Sequence, residues 1–364
     1  MTEPILSPLH SRHEALGAKF SEFGGWLMPL QYAGVVAEHR AVRTGVGVFD
    51  VSHLGKMRVS GPGAADFVNS VITNDLRRIT PGQAQYTLLC NEAGGVIDDM
   101  ICYLISDDEV FIIPNASNTA TVVELIAAQA PAGISVVNEH RDYAIIAVQG
   151  TSSDETLAAL GLPVGHDYLS FVTASWAGTP LTVCRTGYTG ERGYELVVPA
   201  EAAGGLWDAV LAVGREYDIA PCGLGARDTL RTEMGYPLHG HDLSPEISPV
   251  MANLNWAVGW DKPSFWGADA LRAQREAKSG PLLRGLKAQG KAIPRPEMEV
   301  FVGAERVGEI TSGTFSPTLQ VGVALALLGR SVKLGDVVEV AVRNRREPFE
   351  VVKPPFVTPA VRES

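Results

Sequence analysis

Asn91-Glu92-Ala93-Gly94-Gly95-Val96-Ile97-Asp98-Asp99-Met100, continuing to Ile105, is the stretch from which the architecture is read. Gly94-Gly95 closes a hairpin, and a strand follows from Val96 to Ile105. Successive residues of a strand face opposite sides. Asp98 then shares a face with Met100, Cys102 and Leu104, and Asp99 shares the other with Ile101, Tyr103 and Ile105. Both faces are apolar, so the strand is expected to be covered on both sides. An acid at its entrance must be solvated, hydrogen-bonded or lining a pocket. The plainer reading of the pair is two loop-end acids capping nearby backbone N–H groups.

Outward from that strand the pattern is a meander. Tyr86 to Cys90 and Glu109 to Ile113 flank it, and a helix follows at Asn118 to Ala128. Earlier, the first fifty residues read as a helix, a turn at Gly24-Gly25-Trp26 and a second helix, with Glu38-His39-Arg40 facing outward. Strands at Val46 to Val51 and at 55 to 60 lead to a helix at Pro62 to Val71. Later, strands at Tyr143 to Gln149, Pro180 to Cys184 and Tyr194 to Val198 accompany helices at Ser153 to Leu160 and Ala203 to Tyr217. Composition shifts between Ser279 and Pro294. Short strands at Met298 to Val302, Glu305 to Ile310, Gly322 to Leu327 and Val337 to Val342 then predict a small β-barrel or jelly roll from about 280 to 364. With 38 Gly and 23 Pro in 364 residues, many short strands rather than long helical bundles are expected.

Composition narrows the function. A net charge of −11 argues against a broad nucleic-acid footprint, which needs clustered Lys and Arg. The start of the sequence has no basic segment followed by an apolar run, and no apolar stretch approaches the ~20 residues that cross a bilayer. Cys90, Cys102, Cys184 and Cys222 form no CxxC pair and sit at no zinc-finger spacing, as expected of free thiols in a reducing cytoplasm. His239-Gly-His241 is half of a metal pattern with nothing to complete it, and reads as a pair of exposed loop histidines. Arg343, Arg345 and Arg346 read as a solvated charge run.

Two further segments carry chemistry. Arg185-Thr186-Gly187-Tyr188-Thr189-Gly190-Glu191-Arg192-Gly193-Tyr194-Glu195 has glycines that permit close backbone approach, tyrosines with flat faces, and Glu195 pointing away from Tyr194 and Leu196. It also fits a plain hairpin loop. Cys222-Gly223-Leu224-Gly225-Ala226-Arg227-Asp228-Thr229-Leu230-Arg231 opens a helix. Arg227 lies in its first turn, where the macrodipole disfavours a cation and calls for an anion. Asp228, Glu233 or a ligand carboxylate all answer that need. An acid, a second acid, aromatics and an arginine together suit a flat heteroaromatic ligand with an anionic tail.

These segments, in this order, resemble the aminomethyltransferase (T-protein) family of the glycine cleavage system. The resemblance also takes in Phe23-Gly-Gly-Trp-Leu-Met-Pro-Leu30, Phe49-Asp-Val-Ser-His53, Asn74-Asp75, Ala147-Val-Gln-Gly150 and Ile310-Thr-Ser-Gly-Thr-Phe-Ser-Pro-Thr-Leu319. It implies an α+β fold, a three-domain cloverleaf of mostly antiparallel sheets with flanking helices around a tetrahydrofolate pocket, with 1–52 plus 140–278 as a discontinuous folate-binding unit, 53–139 as a second α+β unit, and 280–364 as the C-terminal β-barrel or jelly roll. The implied reaction takes the aminomethyl group from the lipoyl arm of lipoylated H-protein, releases ammonia and forms 5,10-methylenetetrahydrofolate. Asp98 is the catalytic acid implied by the family string. Glu195 is implied to pair with the pterin's N–H edge, Arg227 and Tyr188 to hold the glutamyl tail, and Tyr86 and Asn115 to line the pocket. No metal, nucleic acid or membrane is implied. A folate-dependent demethylase of the same superfamily, such as one acting on dimethylsulfoniopropionate, is the alternative. An iron–sulfur assembly factor of that superfamily fits less well, because Arg185-Thr-Gly-Tyr-Thr-Gly190 replaces its Lys-Gly-Cys-Tyr string. One departure is Glu297, two residues after Arg295, where the family usually has Gly.

Overall fold

The computed structural model describes residues 3–361. A five-stranded antiparallel sheet carries the central strand Val96–Ser106 between Gln83–Cys90 and Glu109–Ile113, and continues through Met57–Ser60 to Ser135–Asn138. One face packs on the helices Ala64–Val71 and Thr119–Gln129, burying Met100, Cys102 and Leu104 with Val68, Val122 and Ile126. The other face buries Tyr103 with Phe49, Phe111, Ile145 and Leu230. The strand is therefore covered on both sides, as its two apolar faces require. Each large side chain so buried contributes about 1.5–3 kcal/mol.

The second face meets a six-stranded sheet ordered Phe171–Trp176, Thr179–Cys184, Gly193–Pro199, Tyr143–Gln149, Gly47–Asp50 and Ala220–Cys222. Its far side packs on Ala203–Gly214 and Ser153–Ala159, with Trp207 fully buried among Ile146, Val148 and Leu196. Residues 282–352 close into a six-stranded antiparallel barrel filled by Leu286, Val300, Ile310, Ala324 and Phe349. The expected mixture of helices and mostly antiparallel sheets, ending in a barrel, is the one observed.

The first fifty residues differ from the helix–turn–helix expectation. Lys19–Phe23 and Trp26–Gln31 are paired strands, and Gly24-Gly25 is their turn, with φ of +56° and +81°. Trp26 and Met28 alternate inward, a period-two signal that a six-residue run shows only weakly. Glu38 and His39 are buried rather than outward. Glu38 accepts from the backbone N–H groups of Tyr32, Gly34 and Gly223 at 2.6, 2.9 and 2.8 Å, so the acid satisfies donors at the start of two helices. The barrel strands Leu282–Ala288 and Arg345–Val352 and the helix Ala268–Ala277 escaped the pattern because charged residues interrupt their apolar positions.

Glu233 ties the barrel to the rest. Its carboxylate accepts from Arg43 Nη2 at 2.8 Å, Ser316 Oγ at 2.5 Å and Thr318 Oγ1 at 2.8 Å, with His39 Nε2 at 3.3 Å. The helices Val35–Thr44 and Leu224–Met234 thus share one charge with the barrel strand Glu305–Ser316. Burial opposes ionisation, but the bonds from His39 and Ser316 and the charge of Arg43 outweigh it and pull Glu233 down to about 2. Its lowered value means the stabilisation is whole above the ordinary carboxylate range and is lost as pH falls toward 2. The unfolding free energy measured in urea should drop between about pH 5 and pH 2 by on the order of 3 kcal/mol, and Glu233→Gln should flatten that part of the curve.

Glu297 adopts φ +69°, the left-handed conformation that a glycine takes without cost. The turn is kept and strain of about 1 kcal/mol is carried in it. Glu297→Gly should raise stability by roughly 0.5–1 kcal/mol in urea unfolding; no change would show that the exposed turn relaxes freely.

Candidate active site

A cavity of about 540 Å³ lies where the two larger sheets, the loop around residues 234–239 and the segment after the barrel converge. Tyr86, Asp99, Asn115, Tyr188, Glu195 and Arg227 line it, with His53, Trp256 and Val361. Five of the six expected site residues are therefore brought together. Asp98 is not on the wall.

Strand alternation separates the two acids. Asp98 is wholly buried on the face of Met100 and Cys102, while Asp99 lies on the face of Ile101 and Tyr103 and opens to the cavity. Of the two adjacent acids it is Asp99, and not the expected Asp98, that lines the cavity. Gly95 allows the hairpin entering this strand, since a Cβ there would stand 1.7 Å from the Pro245 carbonyl oxygen. Asn115 bridges the pair. Its Nδ2 donates to Asp98 Oδ1 at 2.8 Å and to Asp99 Oδ1 at 2.9 Å, and its backbone N–H donates to Asp98 Oδ2 at 2.9 Å. Tyr86 donates to Asp99 Oδ2 at 2.9 Å. Burial pushes both carboxyls up, and for Asp98 the charge of Asp99 adds to it.

Glu195 stands on the strand Gly193–Pro199, turned away from Tyr194 and Leu196, which fill the opposite core. Thr186 Oγ1 donates to Glu195 Oε2 at 2.5 Å, leaving the other carboxylate oxygen for a ligand. Arg227 comes from the first turn of Leu224–Met234, with its guanidinium carbon 4.7 Å from the centre of the Tyr188 ring. Neither protein partner expected for it is available. Asp228 pairs with Arg231 at 2.8 Å, and Glu233 is held by Arg43 and the barrel. Arg227 Nη1 is buried without a hydrogen-bond partner. Burial draws the guanidinium below its usual range, with Glu195 acting the other way. A buried cation with an unused donor marks a place for an acceptor from outside the protein.

The aromatic walls complete the shape. Tyr188 stacks on Tyr236 with ring centres 5.7 Å apart and donates to the Pro237 carbonyl. Tyr86 stacks on Trp256 at 5.3 Å, and Trp256 is 61% exposed. His239 is not an exposed loop residue. Its ring joins Asn118 Nδ2 at 3.0 Å to the Val96 carbonyl at 3.1 Å. Nothing in the spacing of Asn118 and Trp256 sets them apart, and the spacing of His239 from His241 points to a metal pattern instead; the three come from segments far apart in the chain. His53 was read only as part of a motif, yet it lines the cavity with its Nδ1 unpartnered. Burial, helped by Arg227 nearby, lowers its imidazole to about 3, which keeps it neutral.

The description "GCVT N-terminal domain" matches residues 9–262, and "Glycine cleavage T-protein C-terminal barrel domain" matches residues 282–358. A Parafrankia aminomethyltransferase is 59% identical over the whole of both chains. An aminomethyltransferase of Mycobacterium bovis is 58% identical, covering 99% of each chain. The crystal structure of the glycine cleavage system aminomethyltransferase T from Bartonella henselae superposes with a TM-score of 0.92 at 31% identity, covering 98% of each chain.

The unpaired guanidinium makes a prediction that needs no ligand. Arg227→Met should raise the unfolding free energy of the free protein, measured in urea, by about 1 kcal/mol, because a buried donor with no acceptor is replaced by an apolar chain of similar length. A loss of stability would show that Arg227 holds the fold.

Proposed function

The chain belongs to the aminomethyltransferase (glycine cleavage T-protein) family and is an enzyme of that kind, and on this premise we propose how its cavity is used. Tetrahydrofolate lies in it, with the N–H edge of the pterin against Glu195 and the anionic end held by Arg227. A carboxylate opposite adjacent N–H donors gains two charge-assisted hydrogen bonds. Tyr188 and Tyr86 bound the flat ring system, and Asn115 holds the Asp99 side chain in place. The fit rests on observations of this protein: Arg227 keeps a buried Nη1 donor unused, and Glu195 has a carboxylate oxygen to spare.

When bound, tetrahydrofolate supplies the two nitrogens that take up the one-carbon unit. Asp99 stands at the wall where that unit changes hands and stabilises the positive charge that develops on the transferred carbon. The walls hold the folate and the aminomethyl-bearing arm together, which supplies an orientation term of several kcal/mol. The second substrate comes from lipoylated H-protein, as befits a relative of the glycine cleavage system. We place the reaction in the cytoplasm, which suits four buried, unpaired cysteines. No helix among the described residues is long and apolar enough to cross a membrane. The working units are 1–52 with 140–278, then 53–139, then 280–364, and separate cores in the two large sheets and the barrel support this division.

Asp99 is the observation that carries the reading, as the acid of the central hairpin that faces the cavity. Asp99→Asn should cut ammonia release from aminomethylated H-protein by about 100-fold or more. Glu195→Gln should weaken tetrahydrofolate binding, measured by calorimetry. Near-normal turnover in the first variant, or unchanged affinity in the second, removes that residue from the site.

A further inference from the structure

Asp98 stands behind the cavity wall, yet its surroundings are more fully determined than those of Asp99. The Val96 carbonyl lies 3.1 Å from His239 Nε2. A carbonyl only accepts, so Nε2 carries the hydrogen, and in the tautomer that leaves Nδ1 bare, Nδ1 accepts. Asn118 Nδ2 donates to that Nδ1 at 3.0 Å, which fixes the amide's orientation. The other amide hydrogen goes to Asp98 Oδ1 at 2.7 Å. Asn115 Nδ2 reaches the same oxygen at 2.8 Å, and the Asn115 backbone N–H reaches Oδ2 at 2.9 Å. Every hydrogen bond to Asp98 among the described residues thus comes from an N–H. A proton on this carboxyl would find no acceptor.

Asp99 is different. The Tyr86 hydroxyl at 2.9 Å can accept as well as donate, and one side of the carboxyl opens to the cavity. We propose that Asp98 is a positioning residue: a buried carboxylate that leaves the pair's shared proton on Asp99, where the reacting groups meet it. This rests on the reading of Asp99 as the acid at the reacting centre. Burial raises both carboxyls, so the pair keeps a proton more readily than free aspartates do. The other titratable and charged groups facing Asp99 are Tyr86 on the adjacent strand, Tyr188 on the glycine-rich loop, His239, and Glu195 and Arg227 across the cavity.

The proton balance suits this placement. The transfer breaks one carbon–nitrogen and one carbon–sulfur bond and forms two carbon–nitrogen bonds. Two N–H hydrogens leave the acceptor nitrogens, one for the departing amine and one for sulfur. Asp99 gives its proton to the amine and recovers one from an acceptor nitrogen. The other hydrogen goes to sulfur, and the carboxyl ends as it began.

The test titrates the ligand-free protein carrying carboxyl-¹³C aspartate, with the Asp99 resonance identified by its loss in Asp99→Asn. In Asp98→Asn the neighbouring negative charge is gone, so Asp99 should titrate about one pH unit lower or more. The high-pH limb of ammonia release, where the acid form is lost, should move down by the same amount. If Asp98→Asn does not fold, Asn118→Ala removes one donor from Asp98 and should move both readouts in the same direction. An Asp99 titration that stays put in the folded variants, or a wild-type proton found on Asp98, overturns the proposal. Normal turnover in Asp99→Asn instead overturns the assignment of Asp99 to the reaction, and the resonance still decides where the proton resides.

Discussion

A strand with apolar cover on both sides cannot send two consecutive acids to the same place. That constraint organises the site. The strand Val96–Ser106 is pressed between a helix-backed core and the core shared by the two large sheets. Asp98 is driven into the first, where it must be fully hydrogen-bonded, and Asp99 faces the cavity. Asn115 joins them through the strand's edge, so the geometry of one carboxyl is set by the other.

A similar economy of charge fastens the modules. Glu38 gathers three backbone N–H groups, and Glu233 gathers an arginine, a histidine and two barrel hydroxyls. These buried acids are costly alone and stable only with all their partners present. Their full occupation explains why Arg227, one helical turn and a half before Glu233, keeps a buried Nη1 with no hydrogen-bond partner among the described residues.

Much of the fold was legible because its strands are regular and apolar. The meander from 83 to 113 and the barrel strand Val337–Val342 lie where alternation places them. The first hairpin and two barrel strands were not legible, since charged or short runs hide a period of two. In the site, Glu195 followed from alternation beside Tyr194, and the glycine-rich loop and the arginine-bearing helix were recognisable as segments. Which of two adjacent aspartates faces a ligand depends on what packs on either side, and both faces of this strand read as equally apolar. His239 and Asn118 reach the acids from loops whose convergence is a tertiary fact. Glu38 and His39 look like surface polar residues in a helix; only the burial of the helix termini that Glu38 serves, and the approach of Thr318 from the barrel to His39, reveal them.

After the barrel the chain returns to the centre. The Phe356 N–H donates to the Glu233 carbonyl at 2.8 Å, the Ala360 N–H donates to the Gly190 carbonyl at 2.8 Å, and Arg185 Nη2 holds the Val361 carbonyl at 2.9 Å. Pro355, Pro359 and Val361 form part of the cavity wall, together with residues as early as Phe23. A molecule lodged there touches the chain near both extremes of the described sequence, so its binding energy is spread over every module at once. Occupancy then acts as a clasp on cooperativity: a saturated enzyme would melt as one body, and an empty one would be free to loosen a module at a time.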